Sequence, residues 1–354
     1  MVLTRRGLAL SAAAVMVLSA ALVAQKKDDK KPTDAQKRDI PEIVRIVDAE
    51  ATGQPAANDF GLQWVHADFL KAASNTQYVA FTLTFDASKA ATSTNVALYW
   101  RVVAKDAAIP VATLTLPANK DDKKDNKAAP SKYAAEYLSY FNPTTVGGRF
   151  SRAFVLPAGN YDVYMLMRES APASQKNAPP AKVSGIKQAL TVPDFWAADL
   201  TTSSIIVASR VEPLNAPLSP NEQFERPYAA MGGMDIVPAL DTRFTTKAEL
   251  SLFLLIYNPK VDGTNKPDVT VEYNFYQKLA DTGEKFFNRT PPQLLNASTL
   301  PASFDMAIGH QLSTGQAVPL ASFPAGDYRL EIKITDKLGS KSVTRDVNFT
   351  VTAG

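Results

Sequence analysis

Residues that could carry catalytic chemistry are few in this sequence and lie far apart. The 354 residues include two histidines, His66 and His310, and no cysteine. A Ser-His-Asp triad needs an imidazole to accept the proton, and zinc sites need clustered histidine or thiolate ligands. The carboxylates expected in loops and at strand ends show no pairing along the chain: Glu169, Asp194, Asp199, Asp241 and Glu249. The sequence therefore predicts no catalytic residue, no metal ligand and no cofactor.

Several loops resemble ligand-binding motifs but lack the residues that binding requires. The pairs Gly147-Gly148 and Gly232-Gly233 have no Lys and Ser/Thr at the spacing of a phosphate-binding loop. The loop 262–268 offers oxygen ligands, but it has no closing Glu, and Lys266 opposes a cation. We interpret the glycine pairs as turns, the loop as a hairpin connection, and Asp336 as a turn residue that closes a strand.

The N-terminal 25 residues have the three parts of a secretory signal. Arg5 and Arg6 precede an uncharged run over residues 7–24, and a polar stretch begins at Gln25. This pattern predicts a signal peptide at 1–25 and a periplasmic or extracellular location. The alternative is an uncleaved anchor in the inner membrane formed by residues 7–24, because that run is about the minimum length for a span. The paired arginines leave both general and twin-arginine export open.

The composition is typical of a protein that is stabilised by packed cores. Exported proteins are permitted disulfides but do not require them, and this one has no cysteine. The formal net charge of +3 gives no basis for a nucleic-acid partner. Residues 26–57 are predicted to form a charged linker with a short helix at 40–47, in which Pro41 suits the first helical position.

Apolar and polar residues alternate from Phe60 onward, which predicts antiparallel strands. Leu330, Ile332 and Ile334 share one side of such a strand, and charged residues occupy the other side. A strand with one apolar and one charged face belongs to a sheet that packs on the core with one side and faces solvent with the other. Helical periodicity beyond Phe60 is limited to a possible helix at 131–140.

Three segments of the first half recur in the same order in the second half: 79–85 with 250–256, 95–102 with 268–275, and 156–163 with 323–330. The last pair contains a Pro-Ala-Gly-[Asn/Asp]-Tyr turn, whose tyrosine hydroxyl can bond back to the turn as in immunoglobulin-like sandwiches. Trp100 suits the buried aromatic of such a core. We predict an all-β chain with two tandem immunoglobulin-like antiparallel β-sandwich domains, at 58–193 and 200–352, after the signal peptide and the charged linker.

The C-terminal residues 323–351, with the turn Phe323-Pro324-Ala325-Gly326-Asp327-Tyr328, resemble part of a known group of proteins. Exported bacterial tandem β-sandwich proteins are similar here, and some of them carry a GWxTD domain or a von Willebrand factor A-related domain. The resemblance covers mostly the second half and implies a sandwich fold in an exported protein. It transfers no functional residue, because the chain has no Gly-Trp-x-Thr-Asp segment and no metal-adhesion motif.

One sheet face differs between the two halves and is a candidate contact surface. Charged residues at Glu272, Glu331 and Lys333 correspond to Tyr99, Tyr164 and Leu166 in the first half. A strand that is apolar on both sides needs a cover on each side. The cover is either within the chain, from residues 43–47 or from the second domain, or it is a separate partner or ligand.

These observations rank three functions. The first is a non-catalytic exported cell-envelope protein that acts as a structural or protein-binding module. The second is a polysaccharide-binding accessory module, in which exposed aromatics such as Trp64, Trp196 or Tyr228 would stack on sugars. The third is a glycan-active enzyme that uses two carboxylates. The expected partner is another envelope protein or a polysaccharide, and membrane contact arises only through an uncleaved N-terminal segment.

Overall fold

A computed structural model describes residues 34–90, 95–106, 133–143, 146–170, 180–197, 199–216, 218–230, 234–279 and 283–354. The predicted signal peptide, the first part of the linker and the pair Gly232-Gly233 lie outside these residues. The chain divides into two compact units, of which the first ends at Asp194 and the second begins at Phe195. None of the helices among these residues is long and apolar enough to span a bilayer.

Within its described residues, the first unit is an antiparallel sandwich of seven strands preceded by a helix. Its elements are α1 (Asp34–Ala51), β1 (Gln63–Lys71), β2 (Gln77–Thr84), β3 (Val96–Ala104), β4 (Ala135–Phe141), β5 (Arg149–Leu156), β6 (Gly159–Glu169) and β7 (Val183–Val192). One sheet has the order β1-β2-β5, and the other has the order β4-β3-β6-β7. Alternate side chains of both sheets pack into one core, in which Phe81 and Trp100 meet edge to face.

The second unit is also a sandwich of two sheets. Its elements are β8 (Thr201–Thr202), β9 (Ile206–Pro213), α2 (Pro220–Glu225), β10 (Met234–Pro238), β11 (Arg243–Thr245), β12 (Glu249–Tyr257), β13 (Val269–Leu279), β14 (Gly283–Arg289), β15 (Gln293–Leu295), β16 (Leu312–Pro319), β17 (Gly326–Asp336) and β18 (Lys341–Thr352). One sheet has the order β10-β9-β12-β16, with β8 beside β12. The other has the order β11-β18-β17-β13-β14, with β15 beside β13.

The two units share one strand order. The run β4-β3-β6-β7 corresponds to β14-β13-β17-β18, and β1-β2-β5 corresponds to β9-β12-β16. The three recurring sequence segments fall in β2 and β12, in β3 and β13, and around the starts of β6 and β17. The all-β, immunoglobulin-like prediction is therefore confirmed by the sheets themselves.

Both predicted tyrosine turns are present. The Tyr161 hydroxyl donates to the Pro157 carbonyl at 2.9 Å, and the Tyr328 hydroxyl donates to the Pro324 carbonyl at 2.7 Å. Both tyrosine side chains are buried in the cores. A glycine lies two residues before each tyrosine and has a positive φ, which is 154° in the second unit. Other residues would be strained in this backbone conformation. The hydrogen bond ties the start of a central strand to the turn before it.

Two helix predictions are corrected. Residues 135–141 form strand β4, not a helix. Tyr137 stacks on Trp100 in the core at 4.3 Å, whereas Leu138 and Tyr140 pack on the opposite side of the strand. A short strand that is apolar on both faces loses its alternation and imitates a helical pattern.

Helix α1 is longer than the predicted 40–47, and Pro41 lies inside it rather than at its first position. An interior proline removes one backbone hydrogen bond and costs roughly 3 kcal/mol. Contacts on both sides of the proline offset this cost, because Asp39 and Ile43 are both buried against the sandwich. Tertiary packing therefore extends the helix through a residue that would end it in isolation.

We expect Tyr328→Phe to lower the free energy of unfolding of the second unit by about 1 kcal/mol, since one net hydrogen bond is removed while the ring remains. Urea titration followed by tryptophan and tyrosine fluorescence measures this loss. The control is Tyr276→Phe, which removes a hydroxyl from a half-buried ring on the outer sheet face. Equal stabilities of parent and Tyr328→Phe would show that the turn bond contributes nothing.

Candidate functional site

Helix α1 covers the sheet face that the sequence comparison singles out. Ile43 and Val47 are buried in one cluster with Tyr99, Tyr164 and Leu166, and Ala97 completes it. The three predicted contact residues are thus brought together, but they lie beneath the chain's own helix. A separate partner does not reach them while α1 is in place.

The sequence of α1 explains why it lies on this face. Ile43, Ile46 and Val47 are three and four residues apart, so they share one side of the helix. Full burial of one aliphatic side chain contributes roughly 1.5–3 kcal/mol. Isolated helices of this length are marginal in water, so the buried stripe, more than intrinsic propensity, holds α1 in helical form.

A buried arginine links α1 to the sheet. The Arg101 side chain is 4% exposed and pairs with Asp48 of α1. Its Nε donates to the Tyr99 hydroxyl at 2.9 Å, and its guanidinium lies 4.1 Å from the centre of the Tyr133 ring. Glu136 of β4 lies 3.6 Å from the same guanidinium and accepts from the Tyr99 hydroxyl. Burial, together with the hydrogen bond to Glu136, raises the pKa of Tyr99, so its hydroxyl stays protonated.

A second buried ion pair joins the N-terminal part of α1 to β6. Arg168 Nη1 lies 2.6 Å from Asp39 Oδ1, and the Asp39 side chain is 2% exposed. Burial and the nearby Asp39 charge raise the pKa of Tyr140 to about 12. A charge with so little water contact is retained only when it is paired. The pairs of Arg168 and Arg101 therefore fix α1 at both ends.

The connection that follows α1 packs closely on β7. Gly185 N–H donates to the Ala57 carbonyl at 2.9 Å, and Asp59 N–H donates to the Val183 carbonyl at 3.0 Å. A Cβ on Gly185 would come within 2.4 Å of the Ala56 Cβ, so only glycine permits this approach. Beside it, burial raises the pKa of Glu50, and the charge of Lys187 opposes that shift.

A cleft of about 520 Å³ lies between α1, residues 54–57 and the start of β7. Arg45 and Arg168 contribute cations to its wall, and Glu42 contributes a carboxylate. Arg45 is bonded to Glu42 at 2.7 Å, and Arg168 to Asp39. Among the described residues that line the cleft, these charged side chains are therefore paired with one another or with Asp39.

The equivalent face of the second unit is charged, as the sequence predicts. Lys333 lies 3.7 Å from Glu272 across neighbouring strands. Arg329 pairs with three carboxylates, at 2.8, 2.7 and 3.3 Å: those of Glu284, Asp346 and Glu331. Half-exposed pairs of this kind add little stability, about 0–1 kcal/mol each. These ion pairs make the face polar, whereas the corresponding face of the first unit is apolar and covered by α1.

The carboxylates considered for acid–base chemistry have separate structural partners. Three of them accept hydrogen bonds: Glu169 from the Lys182 amide, Asp241 from the Arg243 amide, and Glu249 from the Ser251 hydroxyl. Asp199 forms an ion pair with Lys341. His66 Nδ1 lies 3.0 Å from Asp68, and His310 Nδ1 accepts from the Asp305 amide at 3.0 Å. Over the described ranges, no cluster of three or more His, Asp or Glu side chains is arranged to hold a metal.

The interpretations of Gly147-Gly148 as a turn, of the loop 262–268 and of Asp336 are confirmed. Asp262 Oδ1 accepts from the Thr264 amide and hydroxyl and from the Lys266 amide, and these bonds lower its pKa. Val261 bridges Pro267, so the loop forms a short hairpin within the connection from β12 to β13, which belong to different sheets, and its carboxylate is already satisfied. Asp336 accepts from the Lys260 and Gly339 amides and is a buried turn residue.

The three aromatics considered for sugar stacking do not share an exposed setting. Tyr228 is buried, so its assignment as an exposed aromatic is wrong. Trp64 is half-buried and stacks on Phe81 at 5.2 Å. Trp196 alone of the three is exposed, at 42%.

Sequence reasoning missed the ion pairs of Arg101 and Arg168. A signal was available, because Arg101 is two residues from Tyr99, Arg168 is two residues from Leu166, and residues two apart in a strand share a face. An arginine at the border of a buried apolar face requires a carboxylate in the element that covers this face. The acidic positions of α1 supply it.

Comparison with known proteins yields structural similarities at low sequence identity. No protein-family model matches it, and no curated protein sequence is similar to it. A crystal structure of dimeric latent PorU from Porphyromonas gingivalis matches 83% of this chain and 20% of that chain, with 9% identity and a TM-score of 0.29. An immunoglobulin-like protein from Pseudomonas aeruginosa matches over 42% of this chain and 97% of its own, with 10% identity and a TM-score of 0.20.

Trypsin-activated alpha-2-macroglobulin from Escherichia coli is a further similar structure, with 10% identity over 83% of this chain and a TM-score of 0.22. The chain spans 17% of that protein, and no more than a fifth of PorU. Similarity at this level concerns the sandwich architecture only.

We expect the grafted variant Tyr99→Glu, Tyr164→Glu, Leu166→Lys to release α1 while the sandwich stays folded. Loss of a buried aromatic side chain costs roughly 3–5 kcal/mol, and this variant loses two, so amide hydrogen exchange in α1 should accelerate by a hundredfold or more (about 1.4 kcal/mol per factor of ten). Inward residues such as Trp100 are untouched and should keep the native fluorescence. Arg45→Gln, on the exposed side of α1, is the matched control. Unchanged protection of α1 in the graft would contradict the docking role of this face.

We expect Glu50→Gln to flatten the pH dependence of stability. The folded-state pKa of Glu50 is raised above its ordinary value of 4.5, so its contribution is present below that value and is lost as pH rises through the raised pKa. The variant should therefore be more stable than the parent at neutral pH. Glu42→Gln is the opposite control, because the hydrogen bond from Arg45 lowers the pKa of Glu42 and its contribution is lost as pH falls. Urea unfolding at several pH values distinguishes the two, and a parallel response of both variants would refute the assignment.

Proposed function

We infer that this chain is a non-catalytic exported protein of the cell envelope that acts as a structural or protein-binding module. The observation that carries this proposal is the attachment of α1 to the first sandwich by an apolar cluster and two ion pairs, one of the buried Arg101 with the exposed Asp48 and one between the largely buried Arg168 and Asp39. Residue 34, where α1 begins, directly follows the charged segment after the predicted signal. The docked helix therefore joins the N-terminal segment mechanically to the folded part of the chain.

The use of the polar groups supports a non-catalytic role. The candidate acids, the histidines and the buried arginines engage in turns, strand pairs and the α1 interface, as described above. Catalytic groups are commonly kept poised by unusual environments in a cleft. Here the raised pKa values of Tyr99, Tyr140 and Glu50 accompany the docking of a helix, and those of Tyr78 and Tyr273 arise from burial within the sheets.

Export and location are part of the proposal and rest on the sequence. The paired arginines, the apolar run over 7–24 and the polar break at Gln25 are typical of a signal. A cleaved chain would be released to the periplasm or the exterior. An uncleaved chain would be anchored in the inner membrane, and α1 would then connect this anchor to the sandwich.

The test has two parts that use the full chain produced in an exporting bacterium. Fractionation should place it in the envelope or outside the cell, and variants with Arg5 and Arg6 changed to Gln should accumulate in the cytoplasm. Chemical cross-linking in intact cells, followed by mass spectrometry, should recover a specific envelope protein.

Incubation of the full chain with a panel of glycans tests the two alternative functions. Hydrolysis that disappears when one candidate acid is changed, for example in Asp199→Asn, would refute the non-catalytic role. Retention on an insoluble polysaccharide that is lost in Trp196→Ala, with no protein companion recovered, would favour the accessory-module alternative.

A further inference from the structure

Strand β14 leaves one sheet edge of the second unit open. It pairs antiparallel with β13 along one side. Along its other side, no strand within the described part of the chain is paired with it. Six of its seven residues are exposed. Backbone donors and acceptors on such an edge can pair with a further strand.

The centre of this edge is apolar and firmly held. Phe286 is 52% exposed and meets the Tyr276 ring edge to face at 5.9 Å on the outer sheet side. Its neighbour Phe287 points inward and contacts the rings of Phe323 at 4.8 Å and Tyr328 at 5.5 Å. The inward ring anchors the strand, so Phe286 is presented from a fixed backbone.

The other edges of this unit are protected in ways that β14 is not. The Gly315 carbonyl on edge strand β16 accepts from Gln293 Nε2 at 2.8 Å. Strand β10 is short and ends at Pro238, and β11 has only three residues. Short strands, proline and side-chain cover are the usual devices against edge pairing. Strand β14 shares one such device, a β-bulge opposite Tyr276, and the Arg289 amide at its end donates to Asn288 Oδ1 at 2.8 Å. Within the described residues, the segment 283–287 contains no proline, and no side chain is bonded to its backbone.

We propose that β14 pairs with β14 of a second copy of this chain, antiparallel and about a two-fold axis at Phe286. This register places the two Phe286 rings opposite each other, and it sets Lys285 against Phe287 and Glu284 against Asn288. A two-fold axis one residue away would set Lys285 against itself or against Arg289. Like charges directly opposite destabilise a strand pair, whereas paired aromatics contribute roughly 0.2–1 kcal/mol, so the charges select the register at Phe286.

The size of the edge predicts a reversible dimer. Stable complexes bury about 1,200–2,000 Å² in total, and encounters below that range are weak. A seven-residue edge with one exposed ring per copy lies at the low end, so association should depend on protein concentration. This inference rests on the second unit alone and stands independently of the proposed function.

Single-cysteine cross-linking tests the register directly, because the chain has no cysteine of its own. Residues opposite each other in an antiparallel pair have Cα atoms about 4.5–5.5 Å apart, within the range of a disulfide. Mild oxidation of the purified full chain carrying Phe286→Cys should give a covalent dimer on a non-reducing gel. The control is Leu338→Cys, a residue 39% exposed in the turn after β17. No dimer with Phe286→Cys, or equal dimer with both variants, overturns the proposal.

Sedimentation velocity of the cysteine-free chain supplies a second readout. The parent should shift toward a dimer as its concentration rises. Phe286→Lys should remain a monomer with the circular dichroism of the parent, and Leu338→Lys should associate as the parent does. A parent that stays monomeric, or a Phe286→Lys variant that associates equally well, refutes edge pairing.

Discussion

Two central strands of the first unit are apolar on both faces, and much of the structure follows from this constraint. The inner faces of β3 and β6 fill the sandwich core, and their outer faces are buried as well. An outer face of this kind in water would be a large exposed apolar patch. The chain resolves the constraint with α1, which adds a third layer to the first unit.

Covering a sheet with a helix brings charges into low-dielectric surroundings. Burial of an ion pair costs several kcal/mol per ion, and attraction repays this only with good geometry and further hydrogen bonds. Arg101 meets these conditions through Asp48, Glu136 and Tyr99, and Arg168 has Asp39. The apolar cluster supplies most of the docking energy, whereas the ion pairs define where along the sheet α1 lies. A helix shifted by one turn would separate Asp48 from Arg101 and Asp39 from Arg168, and only Arg101 would keep a carboxylate from the sheet, that of Glu136.

Local residue spacing made two features predictable. The alternation of apolar and polar residues predicted the strands, and a short motif predicted the tyrosine turns. Tyr161 and Tyr328 could be assigned from five-residue motifs, since the bonded carbonyl lies four residues earlier in each case. Strand β4 could not be assigned, because two-sided burial removes its alternation. The pairs Arg101–Asp48 and Arg168–Asp39 join residues that are remote in sequence, so the strand spacing indicates that each arginine needs a counter-charge but does not indicate which carboxylate supplies it.

The two units show how one strand order supports different surfaces. At corresponding positions, Tyr164 is buried beneath α1, whereas Glu331 belongs to an open network around Arg329. A covered face has no capacity left for a partner, so the first unit is specialised for attachment to its own N-terminal helix. A charged face is unfavourable for apolar partners, and the pairing that we propose for the second unit uses its edge instead. There the exposed ring of Phe286 stands beside unpaired backbone groups, and these are the two features that strand addition uses.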